Sequence, residues 1–299
     1  MAEPIVLPPG VAIGILAFLL ALLPAGLFLW LWYLRRHDRP VPARVVIGGL
    51  VLGMLLVAPA YYLELWAPQL WERVSPGTVH YLDGAILPIQ TISDVLLPAI
   101  GTFLIVALVE EGLRYLALVV WFRKSKNIDQ VFDGLLVGLA AGLGFATVEN
   151  AIYFFSLFST GQFNTLVFVF FLRFIISTLA HISFGGIMGV LLARGFFSVY
   201  RSGWLYAQAF FLPWFLHGLY DWLLGVNQTL YAVLLLLLPL WMLVAWMSKR
   251  EFFAIQRSDS GQLLPSQQAP KDVLKKTAHQ RKTDNPWNRN APWVGARSV

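Results

Sequence analysis

The chain has 299 residues, 58% of them hydrophobic and 15% aromatic, and a mean hydropathy of +0.67, a composition outside the range of soluble domains. It contains no cysteine, which excludes disulfides, thiolate metal sites and cysteine nucleophiles. The formal charge of +6 equals the excess of ten Lys/Arg over four Asp/Glu from Lys249 onward, so it describes a basic appendage, and nucleic-acid binding is not expected.

Seven apolar stretches are long enough to cross about 30 Å of hydrocarbon: roughly 10–34, 43–66, 95–122, 131–158, 165–193, 204–224 and 229–247. The first lacks a basic leader and a small-residue cleavage site and is followed by Arg35 and Arg36, which predicts a retained anchor. Basic residues cluster after the first, third, fifth and seventh stretches: Arg35, Arg36, Arg39 and Arg44; Arg123, Lys124 and Lys126; Arg194 and Arg201; Lys249 and Arg250. The other connections contain one basic residue, Arg73. The positive-inside rule therefore predicts an all-α polytopic bundle with its N-terminus outside and its C-terminus in the cytosol. The connection from about 67 to 94 is the longest external loop. Beyond Glu251 the chain turns polar and proline-bearing, so 1–248 reads as a transmembrane bundle and 249–299 as a basic, largely disordered cytosolic tail.

Ionisable residues inside a bilayer cost at least about 2.5–3.5 kcal/mol each at a helix centre, so they point to function. The third stretch holds Glu110, Glu111 and Arg114, the fourth Glu149 and Asn150, the fifth Arg173 and His181, and the sixth His217 and Asp221. Either Glu110 or Glu111 can reach Arg114 along a helix, while the two acids diverge by about 100° around the axis, leaving one to face a cavity. At about 1.5 Å per residue, Glu110 and His181 fall near the midplane, His217 a few ångströms outward and Glu149 roughly 7 Å outward. Arg173 lies on the outward side, where it can pair with Asp221 or Glu149 or snorkel toward headgroups. Gly134, Gly138 and Gly142, and Gly185 and Gly189, repeat every four residues, a pattern that brings helices close. Four acids in this slab against two arginines leave an excess of two negatives, which requires protonated carboxyls or a bound divalent cation. Either outcome suits a water-activating hydrolase.

At these residues the chain resembles the PrsW family of intramembrane proteases, within the wider superfamily of CAAX-prenyl and bacteriocin-processing membrane proteases. Glu110-Glu111-Gly112-Leu113-Arg114 matches an EExxR pattern, Phe145 to Asn150 matches FxxxEN, His181 marks the third helix and His217 with Asp221 matches HxxxD. The ordered quartet covers about half the chain and suggests a catalytic core of about 95–224. The resemblance implies peptide-bond hydrolysis in a bacterial cytoplasmic membrane, on membrane-protein substrates that include anti-sigma factors or other single-span proteins in some members. It makes Glu110 the water-activating base, with Glu111, Glu149, His181, His217 and Asp221 completing the catalytic set and Arg114, Asn150 and Arg173 supporting it. Zinc or another divalent metal, held by His181, His217 and Glu149 or Glu110, is expected, although prenyl-protease relatives resemble metal-free enzymes. Those relatives place a His after the Phe, where this chain has Glu149. On the residues alone, a proton-coupled transporter and a non-catalytic membrane scaffold remain open.

Overall fold

The computed structural model describes residues 8–34, 42–74, 91–125, 128–198 and 202–259. Among them every regular element is helical, in seven helices. These are α1 (Pro9–Leu29, continued by a π turn at Trp30–Leu34), α2 (Ala43–Val74) and α3 (Ser93–Gly101, a π turn at Thr102–Ala107, then Leu108–Lys124). They continue with α4 (Val131–Ser159), α5 (Phe163–Leu172, a π turn at Arg173–Ser177, then Thr178–Phe197) and α6 (Ser202–Gly225). The last is α7 (Thr229–Tyr231, a π turn at Ala232–Leu237, then Leu238–Asp259). Two compact units make up the chain, Met1–Lys249 and Arg250–Val299, and the helical bundle is the first.

Among the described residues, five helices are long and apolar enough to cross a membrane: Pro9–Leu34, Ala43–Arg73, Val131–Ser159, Phe163–Phe197 and Thr229–Arg250. The two expected spans that miss this criterion are α3 and α6. Of these, α3 carries Glu110, Glu111 and Arg114, and α6 is an aromatic helix whose Trp, Tyr, His217 and Asp221 lower its mean hydropathy.

The expected 67-to-94 loop is shorter at its start, because α2 runs through Pro68 to Val74. A proline inside a helix removes one hydrogen bond, and a helix in an apolar bundle retains the rest because no water competes for them. Residues 75–90 of that loop and 260–299 of the tail lie outside the described residues; α7 itself continues past Glu251 to Asp259.

The centre of the bundle is α4, whose most apolar stretch is 89% buried, against 33% or less in the other four spans. It is enclosed because its glycines admit neighbouring backbones. A Cβ at Gly138 would strike the carbonyl of Gly185, and one at Gly142 the carbonyl of His181, so the antiparallel α4–α5 pair closes to backbone contact. On another side of α4, Gly53 of α2 meets Ala141 and Gly144 meets Leu50 in the same manner. Gly161, at φ +68°, ends α4 in the left-handed region and turns the chain into α5. Finally, α6 is tied to α3 by Trp214 Nε1 donating to the Phe103 carbonyl at 2.7 Å and Trp222 Nε1 to the Val95 carbonyl at 2.9 Å. Phe103 lies in the π turn of α3, where a widened backbone leaves carbonyls free to accept.

Candidate active site

The approach of α4 to α5 at Gly142 and His181 brings the polar residues of four helices into one cluster. Glu110, Glu111, Arg114, Asn150, His181 and His217 are all buried, with at most 5% of their surface exposed. Asp221 and Glu149 form its more open edge, their side chains 26% and 23% exposed.

Of the two acids able to reach Arg114, Glu111 makes the ion pair. The Arg114 guanidinium also lies over the Phe145 ring, 4.9 Å from its centroid, so an aromatic face shares the burial of the charge. Glu111 Oε1 in addition lies 2.8 Å from His217 Nδ1. Glu110 is thereby left facing the interior. Its Oε2 is 3.9 Å from His181 Nδ1 and 3.9 Å from His217 Nε2, and it is buried with no hydrogen-bond partner.

The imidazoles are fixed on their outer sides. His181 Nε2 lies 2.8 Å from Glu149 Oε2, its Nδ1 is 3.4 Å from Arg114 Nη2, and its ring stacks on Phe145. An arginine only donates and a carboxylate only accepts, so the His181 proton sits on Nε2, facing Glu149, and the single Nδ1 lone pair is open either to Arg114 or to a cation beside Glu110. The His217 ring stacks on Phe184 at 4.9 Å and stands nearly perpendicular to His181, 5.3 Å away. With its Nδ1 proton donated to Glu111, His217 Nε2 turns a lone pair toward Glu110 Oε2, at 3.9 Å, and Asp221 Oδ2, at 3.2 Å, three acceptors that a shared cation would bring together.

Arg173, the residue outside the motif quartet, pairs with Glu149 at 2.7 Å; Asp221, the other partner considered, is taken by His217. Arg173 Nε donates to Asn150 Oδ1 at 2.6 Å, its guanidinium lies 3.7 Å above the Tyr153 ring, and Asn150 Nδ2 donates to Thr178 Oγ1 at 3.1 Å. The π turn starting at Arg173 makes this possible: Thr178 Oγ1 donates to the Arg173 carbonyl five residues back, at 2.8 Å, and so stabilises the widened turn. All nine residues singled out in the sequence therefore meet in one network.

Glu110, His181 and His217 form a group whose ligand atoms lie within 4.8 Å of one another and which could hold a metal ion. The fit is chemical as well as spatial, since the unpartnered Glu110 oxygen and the two inward imidazole nitrogens make a two-His, one-carboxylate donor set. Glu149, the carboxylate considered for that set, stands instead against the far nitrogen of His181. Sequence reasoning missed Glu64 of α2, whose charge interacts with Glu149, His217, Asp221 and Glu110. The signal was available, an acid within YYLELWAP, but it stood two residues from the expected end of the second span, where an exposed position is unremarkable.

Comparison with known proteins agrees with this geometry. Residues 41–247 match the model of the PrsW family of intramembrane metalloproteases, a stretch that adds α2 and α7 to the motif-bearing helices. A Protease PrsW of Shouchella clausii is 28% identical over 234 residues, covering 78% of this chain and 95% of the relative. One of Geobacillus kaustophilus is 28% identical over 219 residues, covering 73% and 84%. One of Clostridioides difficile is 31% identical over 148 residues, covering 48% and 59%. No solved structure matches. The chain is a multi-pass integral protein of a bacterial membrane and belongs to the PrsW family of intramembrane metalloproteases.

Proposed function

We propose that this chain hydrolyses peptide bonds of membrane-associated protein substrates at a centre where Glu110, His181 and His217 hold a divalent cation. The observation that carries the reading is the Glu110 carboxylate, buried between two imidazoles with its Oε2 lacking any hydrogen-bond partner. Zinc suits such a set, since three protein ligands leave a fourth position for water or a substrate carbonyl. A bound ion would supply Lewis-acid polarisation and a water acidic enough to ionise near neutral pH.

The chain's own residues supply the rest. Glu111 holds the Nδ1 proton of His217, and Glu149 stands 2.8 Å from His181 Nε2, a charge contact that favours the proton there, so both rings keep one orientation and one tautomer. Arg114 and Arg173 balance those two carboxylates and fix their positions. Asp221, beside His217 Nε2 at the open edge, takes the proton of the attacking water. The six residues Glu110, Glu111, Glu149, His181, His217 and Asp221 thus divide into ligands, orienting groups and a base.

The substrate class we propose is a single-span membrane protein, an anti-sigma factor among them. Purified protein incubated with single-span candidates is expected to release two fragments, and Glu110→Gln to release none while remaining folded. Equal cleavage by the native and substituted proteins would remove the assignment.

A further inference from the structure

Outside the motif quartet, α2 carries an acid that the chemistry above leaves unused. Gly53, Val57, Ala60 and Glu64 follow one another at helical spacing along a single face. Gly53 meets Ala141 of α4, and one turn on Val57 and Ala60 form a buried cluster with Phe145, joined by Val109, Leu113 and Val148. The contacts advance in the same direction along both helices, so α2 and α4 are parallel and the next turn sets Glu64 beside the turn that holds Glu149. Its neighbours Tyr61, Tyr62, Leu63, Leu65 and Trp66 are exposed, whereas Glu64 is half-buried and its Oε1 is fully buried without a hydrogen-bond partner. The register of these contacts brings it within electrostatic range of Glu110, Glu149 and Asp221.

With Glu64 included, five carboxylates, Glu64, Glu110, Glu111, Glu149 and Asp221, face two guanidiniums, an excess of three negatives. A divalent cation balances two of them, and one proton must balance the third, because a low-dielectric cluster does not hold an unpaired charge. Glu111 is paired with Arg114 and Glu149 with Arg173, Glu110 belongs to the ligand set, and Asp221 stands at the open edge, its side chain 26% exposed, where solvent can carry its charge. Glu64 remains: among the described residues it forms no ion pair, and its Oε1 is buried without a hydrogen-bond partner.

We propose that Glu64 carries this proton and is the general acid that protonates the departing amine, an inference that rests on the peptidase reading above. Water oxygen bonds to the carbonyl carbon while one water proton passes to Asp221. The carbon–nitrogen bond then breaks with its electron pair on nitrogen, and nitrogen takes the Glu64 proton. The proton held by Asp221 returns to Glu64, so one water is consumed and the site is restored.

The test uses the full-length protein in detergent with two single-span substrates that differ only in an amide or an ester at the cleaved bond. An ester's alkoxide leaves more readily than an amine, so it depends far less on a proton donor. Glu64→Gln is expected to slow amide cleavage by about 10²-fold or more with KM retained, and to slow ester cleavage by less than about tenfold. Difference infrared spectra are expected to lose a protonated-carboxyl C=O band in the same variant. Equal slowing of both substrates, or no slowing of the amide, would overturn the proposal. Should Glu64→Gln fail to fold, Glu64→Asp decides: a larger loss on amide than on ester supports the donor, and equal losses refute it. Failure of native protein to cleave either substrate would instead refute the peptidase reading, while the infrared band would still report the proton.

Discussion

Glu111 and His217, 106 residues apart in the chain, are joined by a 2.8 Å contact between Oε1 and Nδ1. The same oxygen pairs with Arg114, so a single buried carboxylate sets the conformation of an arginine on its own helix and the tautomer of a histidine on another. A proton held on Nδ1 turns the Nε2 lone pair inward. One acid of the EExxR motif thus orients its neighbours while the other faces the two imidazoles at the interior of the cluster.

Removing that carboxylate tests the division of labour. Glu111→Gln leaves Arg114 as an uncompensated buried charge and is expected to destabilise the fold by about 3–5 kcal/mol. Arg114→Lys keeps the charge but loses the planar fork, and should lower stability and turnover together. Glu110→Gln, by contrast, should leave the thermal midpoint close to native while abolishing turnover. Thermal unfolding in detergent beside a cleavage assay separates these outcomes, and a native midpoint for Glu111→Gln would contradict its role.

A second prediction concerns the outer edge, where Arg173 binds Glu149 and Asn150. Each single reversal, Arg173→Glu or Glu149→Arg, should place like charges in contact, release His181 and reduce activity strongly. The double reversal should recover part of the lost stability through the exchanged pair, which a double-mutant cycle would measure as a coupling of about 0.5–3 kcal/mol. Pairing Arg173→Asp with Asp221→Arg should give no such recovery, since Asp221 faces His217.

Most of this network was legible because charge inside an apolar helix has few explanations. Glu110, Glu149, His181 and His217 were each conspicuous against their surroundings, and the four-residue glycine spacing foretold the approach that unites them. What remained open was pairwise choice. Helical spacing allowed Arg114 to take either acid and allowed Arg173 either Glu149 or Asp221, and the outcome depends on which face each helix presents after its π turn. A π turn shifts every later side chain around the axis and has no sequence signature of comparable strength. Glu64 escaped notice for a different reason: α2 extends to Val74 through Pro68, so a residue that seemed terminal is about two turns deeper in its helix.

The glycine contacts make a paired prediction. Gly142→Ala would drive a methyl into the His181 carbonyl, and parting the helices should cost about 1–3 kcal/mol and displace His181. Gly112→Ala, next to Glu111 in sequence, meets nothing within 4 Å and should be neutral or stabilising by about 0.5–1 kcal/mol, as expected for alanine inside a helix. Thermal unfolding of the two variants compares close packing with simple proximity to the motif. Equal effects would show that the α4–α5 approach is not limiting.

Topology is open to a direct experiment because the chain is cysteine-free. With basic residues concentrated after the first, third, fifth and seventh helices, a cysteine at Ser75 should react with an impermeant maleimide in intact cells. One at Ser260 should react only after permeabilisation. The reverse pattern would invert the bundle and place the cluster's open edge at the cytosolic side.

Metal dependence is the prediction on which the mechanism turns. If Glu110, His181 and His217 hold the cation, both imidazoles must be neutral to bind it, and protons should compete with metal as the pH falls through the ordinary histidine range near ~6.5. Below about pH 6 turnover should then decline and return when zinc is added at the same pH. A glutamate acting without metal would also lose activity in acid, but zinc would not restore it, so the rescue and not the decline is diagnostic. The ligand set makes a sharper demand. Glu149→Gln leaves all three proposed ligands in place and should weaken zinc by about 10–100-fold through the lost support of His181, whereas His181→Ala removes a ligand and should abolish stoichiometric binding. Elemental analysis of detergent-purified protein, before and after exhaustive chelation, measures both. Full turnover with far less than one transition metal per chain would reassign Glu110 as the base and leave His181 and His217 to stabilise the developing oxyanion.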